Sequence, residues 1–359
     1  MIKMGEATKN DGHKVYIDVI RVIATILVLF NHLPVYKLYM ETTGIMQWAY
    51  LCLTAFIRCN VPLFFMISGT LLLQKGEAYT KTLRRRVIRM MVVLPMFEYL
   101  VYAATAVSNH VIEDCFNVGF WNFFKMCLAG NVYGTYSYWY LYAYIGMLLL
   151  LPFLEMLARN MHKREAYILV LVHFLMNTAI PVFNLILSVS TGEGIEISPW
   201  FSVSPAIESA FFFPIMGYYI DHNVDIVKLK IRFCIIGMGI SILGAAAATY
   251  IEGRYFGYSE NYVGIFDYVI AFSMFLLIKE CALSHGSQLR IVSRIAKLCF
   301  GVYLLDPVWK VLIFEKYRSY RNIYFRWLDL SIGWCLISFV LGMGVTAILK
   351  RIPGIKKIL

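Results

Sequence analysis

Apolar residues come in runs of about 20 along this chain, broken by short polar stretches in which lysine and arginine collect. A helix of that length crosses the roughly 30 Å hydrocarbon core of a bilayer and satisfies its own backbone N–H and C=O groups on the way. Ten runs qualify, at about 15–37, 48–73, 87–107, 137–158, 166–187, 204–220, 231–251, 261–281, 296–314 and 328–349. The chain is therefore expected to be all-α: a polytopic integral membrane protein with about ten transmembrane helices. Residues 1–359 read as a single membrane domain, with no repeat, linker or low-complexity tract.

The charges between the runs set an orientation. Lys3, Lys9 and Lys14 precede the first run; Lys75, Lys81, Arg84, Arg85 and Arg86 follow the second; Arg159, Lys163 and Arg164 follow the fourth. Lys228, Lys230 and Arg232 follow the sixth, and Lys279, Arg290, Arg294 and Lys297 surround the loop after the eighth. Lys350, Arg351, Lys356 and Lys357 close the chain, whereas 188–203 carries only Glu193 and Glu196. Positive loops stay in the cytoplasm, so both termini are expected there. One connection dissents: 315–327 carries Lys316, Arg318, Arg321 and Arg326, yet falls outside. Either the count differs near the C-terminus, or these residues meet anionic headgroups or an anionic ligand. The even count agrees with every other loop, so ten is kept.

Composition agrees with the pattern. The chain is 60% hydrophobic and 15% charged, with a mean hydropathy of +0.66. The net charge of +11 would suggest nucleic acid in a soluble protein. Here it follows from membrane orientation, and no nucleic-acid partner is expected. The start of the chain is polar, and the apolar run after it is too long for a signal peptide, so no cleavable signal is expected. The eight cysteines lack metal-ligand spacing, and no metal site is expected. Cys115 and Cys127 share one outer segment and are a candidate disulfide pair. That segment, 108–136, is rich in aromatic residues, among them Phe116, Phe120, Trp121, Phe123 and Phe124. It reads as an interfacial belt and, compatibly, as a platform for a sugar ring.

Candidate chemistry begins in the first run, which carries Asp18, Arg21 and His32. Arg21 and His32 are 11 residues apart, which puts them on one helix face at about 16 Å separation. Asp18 is three residues before Arg21 and can pair with it. Ionisable groups inside hydrocarbon point to function and face other helices or a wet cavity; snorkelling of the helix ends is the plainer account of Asp18 and Arg21. Pro34 lacks an N–H, so the carbonyl of Phe30 should be left open beside the imidazole. In the second run Arg58 needs an acidic partner, with Glu98, Asp267 and Asp306 available, and Pro62 should kink the helix. Arg58, Asn60, Ser68, Trp139 and Asp306 are the candidate substrate contacts. Ser68-Gly69 permits close helix approach. Arg84, Arg85, Arg86 and Arg89 open the third run: they either set topology or clamp phosphate, Arg85 and Arg89 forming an i,i+4 pair.

Several stretches together resemble the integral-membrane acyltransferase-3 family, which includes O-acetyltransferases of surface polysaccharides. They are the Arg21–His32 pair, Val61-Pro62-Leu63-Phe64-Phe65-Met66-Ile67-Ser68-Gly69, and Arg84-Arg85-Arg86-Val87-Ile88-Arg89 followed by Pro95. Tyr138-Trp139-Tyr140-Leu141 with Pro152, Phe213-Pro214 with Gly217, and Gly301-Val302-Tyr303-Leu304-Leu305 complete the set. Many relatives have a histidine where this chain has Asp306.

The resemblance implies a multi-pass enzyme of a bacterial cell membrane. It would move an acyl group, commonly acetyl, from cytoplasmic acyl-CoA to a hydroxyl of a surface or lipid-linked glycan, without a metal. His32 would be the general base or a transient acyl carrier, with Arg21 and Asp18 in the catalytic group and Arg84, Arg85, Arg86 and Arg89 holding acetyl-CoA. The polar membrane residues also suit a glycan or lipid-linked sugar transporter, or a membrane partner of a polysaccharide export system.

Overall fold

A computed structural model describes residues 14–33, 36–74, 76, 78–109, 118–195, 205–224, 231–285, 290–314, 317 and 327–358. Among them every regular element is helical. The α-helices of six or more residues are α1 (Val15–Asn31), α2 (Gly44–Ile57), α3 (Asn60–Leu72), α4 (Ile88–Ser108), α5 (Phe120–Leu128), α6 (Trp139–Leu149), α7 (Leu151–Asn160) and α8 (Lys163–Phe174). After them come α9 (Ile180–Thr191), α10 (Pro205–Asn223), α11 (Ile231–Tyr255), α12 (Asp267–His285), α13 (Arg290–Ala296), α14 (Cys299–Trp309), α15 (Trp327–Leu349) and α16 (Pro353–Ile358). Among the described residues five helices are long and apolar enough to cross a membrane, and the bent pair α6–α7 makes a sixth. The other expected runs coincide with the shorter or more charged α1, α10, α12 and α14.

Several breaks in these helices fall beside prolines, whereas Pro95 and Pro214 lie inside unbroken ones. Proline in a helix removes one hydrogen bond and crowds the carbonyl four residues before it. Four residues before Pro62 lies Arg58, and the second run divides there into α2 and α3. At Leu150, just ahead of Pro152, α6 and α7 turn through 69°. Pro181 follows a π-turn at Leu175–Ala179, and Pro307 precedes another at Lys310–Phe314. The expected open carbonyl of Phe30 is not found: the Leu33 N–H donates to it at 3.2 Å, closing the last turn of α1. Pro34 itself lies outside the described residues, as do Cys115, Phe116 and the basic residues Lys316, Arg318, Arg321 and Arg326.

The core is built around α1, α3, α10 and α12, with Ile20, Phe65, Phe212 and Phe275 fully buried. The α3–α10 pair is the most extensive contact. A Cβ at Gly69 would collide with the backbone of Pro214, and one at Gly217 with that of Met66, so two glycines let the two backbones touch. At one end of this core Asp221 accepts hydrogen bonds from Lys14 and Tyr16, both at 2.5 Å, and pairs with Lys279 at 2.8 Å. The outer faces of α8, α11 and α15 expose large apolar side chains such as Leu171, Ile240 and Val340. Such surface would drive aggregation in water and suits contact with lipid.

Candidate active site

A cavity of about 1400 Å³ runs through the bundle, lined chiefly by α1, α3, α4, α6 and α14. Arg89 and Ser108 both line it from α4. They are 19 residues apart, about 28 Å along a helix, so the lining follows α4 over a length close to the thickness of the hydrocarbon core. Arg86, Arg89 and Lys297 line one end; Tyr133, Tyr136 and Lys310 line the other. Seven lysine and arginine side chains face this space against three carboxylates, Glu260, Asp267 and Asp306, which gives it a positive interior.

His32 ends α1 and joins two other elements there. Its Nδ1 is 2.7 Å from Asp306 Oδ2, and Ser338 Oγ of α15 donates to Asp306 Oδ1 at 2.5 Å. Asp306 and Ser338 are fully buried, while His32 lines the cavity. Against an ionised Asp306, which can only accept, Nδ1 is the donor and Nε2 is the ring nitrogen left facing away from the carboxylate. Lys310 Nζ donates to the His32 carbonyl, fixing the chain at the same point. Tyrosine hydroxyls hold α14 in depth: Tyr138 donates to the Leu304 carbonyl at 2.5 Å and Tyr303 to the Ser137 carbonyl at 2.6 Å. The π-turn after Pro307 re-aims the helix just beyond Asp306, a common device near functional groups.

The remaining sequence candidates divide. Arg21 lines the cavity and pairs with Asp18 at 3.0 Å; Asp18 itself is buried outside the lining. Asn60, Ser68 and Trp139 line the cavity. Ser68 Oγ donates to the Phe64 carbonyl at 2.8 Å, and Asn60 Oδ1 accepts from the Val61 N–H, while its buried amide nitrogen has no hydrogen-bond partner among the described residues. Arg58 lines the cavity too, but its partner is none of the three acids expected. It pairs with Glu260 at 2.6 Å. The helix break at Arg58 frees its side chain to reach the α11–α12 connection, Asp306 is taken by His32 and Ser338, and Glu98 accepts from Tyr142 at 2.7 Å.

The basic cluster is also redrawn. Arg84 and Arg85 are exposed and do not line the cavity; Arg86 and Arg89 do. A π-turn at Leu83–Val87 adds a residue to the helix, which replaces the expected Arg85–Arg89 face by an Arg86–Arg89 one. Arg89 also donates through Nε to the Ile358 carbonyl at 2.7 Å, with its guanidinium 5.6 Å from the Phe300 ring.

Sequence reading missed Lys310, Ser338 and Glu260. Lys310 left a signal, being a lysine inside an apolar run. Ser338 left almost none, because a serine in a membrane helix commonly bonds its own backbone. Among the described residues no cluster of His, Cys, Asp and Glu could hold a metal.

Comparison with curated proteins and with solved structures returns no match. Over residues 14–351, nearly its whole length, the chain matches the model of the Acyl_transf_3 family, an acyltransferase domain, and it belongs to that family.

Proposed function

We propose that this protein transfers an acyl group, acetyl in the first instance, from cytoplasmic acyl-CoA to a hydroxyl of a cell-surface or lipid-linked glycan. Its family supports acyl transfer, and the donor, the acceptor and the base belong to this reading. With it go ten membrane crossings and two cytoplasmic termini in a multi-pass protein of a bacterial cell membrane, as the loop charges suggest.

The observation that carries the reading is the His32–Asp306 contact of 2.7 Å beside a cavity lined along most of α4. A conduit without chemistry has no use for an imidazole whose tautomer is fixed by a buried carboxylate. A base needs that arrangement.

Arg86, Arg89 and Lys297 suit the phosphates of CoA at the inner end, since guanidinium forks match phosphate oxygens. Arg21 lies partway along, beside the path of an extended pantetheine arm. At His32 the acceptor hydroxyl adds to the thioester carbonyl while Nε2 takes its proton. The tetrahedral adduct then expels the CoA thiolate, and the imidazolium returns the proton to that sulfur. Asp306 orients the ring through Nδ1, and Ser338 keeps the carboxylate in place.

The test is the base-labile acyl-ester content of the cell's surface saccharides with and without the gene, with complementation. Equal ester content would overturn the proposal.

A further inference from the structure

The connection between α11 and α12 is fastened far more firmly than a linker needs. Glu252, buried in α11, accepts from Ser259 Oγ at 2.6 Å and from Asn261 Nδ2 at 3.0 Å through one carboxylate oxygen. The Tyr39 hydroxyl donates to the Ser259 carbonyl at 3.1 Å, and Gln47 Nε2 donates to the Tyr258 hydroxyl at 2.7 Å. Gly253 lets the Tyr258 ring lie directly on α11, where any Cβ would collide with it. The residues on both sides of Glu260 are therefore fixed by buried partners, and Glu260 is the residue they present.

Glu260 and Asn261 line the cavity, and the Glu260 side chain is 46% exposed. Arg58 takes its Oε2, while Oε1 makes no hydrogen bond among the described residues. Asn261 must turn its NH₂ to the Glu252 carboxylate, which can only accept, so its carbonyl oxygen faces the other way. Consecutive residues, each with an acceptor oxygen outside these bonds, thus lie on a firmly tied loop lining a cavity whose other charges are mainly positive. An anionic ligand group would be repelled by Glu260, and an ammonium by the surrounding cations. A neutral group carrying two adjacent O–H donors fits both conditions.

We propose that Glu260 and Asn261 form the acceptor-binding edge of the cavity and that they bind a vicinal diol of the acceptor saccharide, with Arg58 holding the carboxylate in position. This rests on the acyl-transfer reading and names the part of the acceptor that the site recognises.

The experiment uses the full-length protein in lipid nanodiscs, radiolabelled acetyl-CoA or succinyl-CoA, and graded dilutions of a saccharide extract from the cells that make it. Glu260→Gln is expected to raise the apparent acceptor KM roughly tenfold, as loss of one charge-assisted hydrogen bond does, with the donor KM unchanged. Glu260→Asp, which keeps the charge but draws it back by one methylene, should give the same split. Arg58→Gln combined with Glu260→Gln should stay impaired, and extract treated with periodate, which cleaves vicinal diols, should lose its acceptor activity. The proposal is overturned by an unchanged acceptor KM in Glu260→Gln. Recovery in the double variant would overturn it too, by reducing Glu260 to a counter-ion of Arg58, as would full acceptor activity after periodate. If the unaltered protein moves no label from either CoA ester, the acyl-transfer reading itself fails and takes this one with it.

Discussion

Asp306 and His32 are 274 residues apart in sequence and 2.7 Å apart in the fold. The contact joins the C-terminal end of α1 to the C-terminal half of α14, and α15 completes it from behind through Ser338. A buried carboxylate with hydrogen bonds to both oxygens is held in one orientation, and so is the ring it meets.

Asp306→Asn should therefore lower kcat for acyl transfer by about 10²–10⁴-fold, the usual contribution of a positioned base. The amide can donate to Nδ1, which moves the ring proton to Nε2 and removes the lone pair that must accept. Donor KM should stay near the unaltered value, because the residues proposed for CoA lie deeper. Ser338→Ala should cost less, on the order of tenfold, since Asp306 keeps its contact with His32 and loses one donor. Steady-state kinetics on the purified variants measures both, and undiminished kcat in Asp306→Asn would remove His32 as the base.

The inner arginines separate topology from binding. Arg86→Gln with Arg89→Gln should raise the KM for acyl-CoA at least tenfold, by loss of phosphate contacts facing the cavity. Arg84→Gln with Arg85→Gln removes the same charge from the exposed side and should leave that KM alone. Equal effects from the two pairs would leave the whole cluster with an orienting role only.

What the sequence shows plainly is what depends on local periodicity. A spacing of eleven between Arg21 and His32 places both on one face, and both line the cavity. The Asp18–Arg21 pair follows from a spacing of three. Pairings across the fold were not legible. Glu260 lies in a loop that turns back on α11, and nothing near Arg58 in sequence points to it. The π-turn at Leu83–Val87 shifts a helical face by one residue without any marker in composition. Three of the family-like stretches turn out to be contact points. Gly69 meets Pro214, Gly217 meets Met66, and Gly301 meets Thr346, each with no room for a methyl group.

That packing makes its own prediction. Gly69→Ala or Gly217→Ala must push α3 and α10 apart, an overpacking worth about 1–3 kcal/mol or more. The melting temperature in detergent and the monodisperse yield should both fall. Gly146→Ala and Gly239→Ala, where the space for a Cβ is open, should leave both measures unchanged. A normal melt for Gly69→Ala would mean that α3 and α10 lie farther apart than described here.

Topology is tested by reporter fusions. Insertions at 160–164 and 285–292 should report cytoplasm, and those at 41–45 and 191–197 the outside, if positive loops stay in. An outside signal at 285–292 would put α14 in the opposite orientation and Asp306 in the other half of the membrane, away from the outer face where the acceptor is proposed to bind.

The sharpest test replaces His32 itself. His32→Gln keeps a side chain of similar reach with a hydrogen-bonding group toward Asp306, yet an amide takes no proton near neutral pH. The side chain is mostly enclosed, with 13% of its surface exposed, and glutamine keeps a hydrogen-bonding group toward Asp306, so membrane level and melting temperature should stay close to the unaltered protein. Acyl transfer should fall by about 10²–10⁴-fold, while binding of acyl-CoA, measured by calorimetry, persists because Arg86 and Arg89 are untouched. A covalent acyl-histidine route predicts the same loss of turnover, and it adds label retained on the unaltered protein after a denaturing wash. If the protein only conducted a saccharide, glutamine would serve nearly as well, and export rather than ester content would be the quantity that changes. Surface-saccharide ester content in cells expressing each variant at matched level decides between them: full esterification by His32→Gln would remove the base and leave transport as the better account.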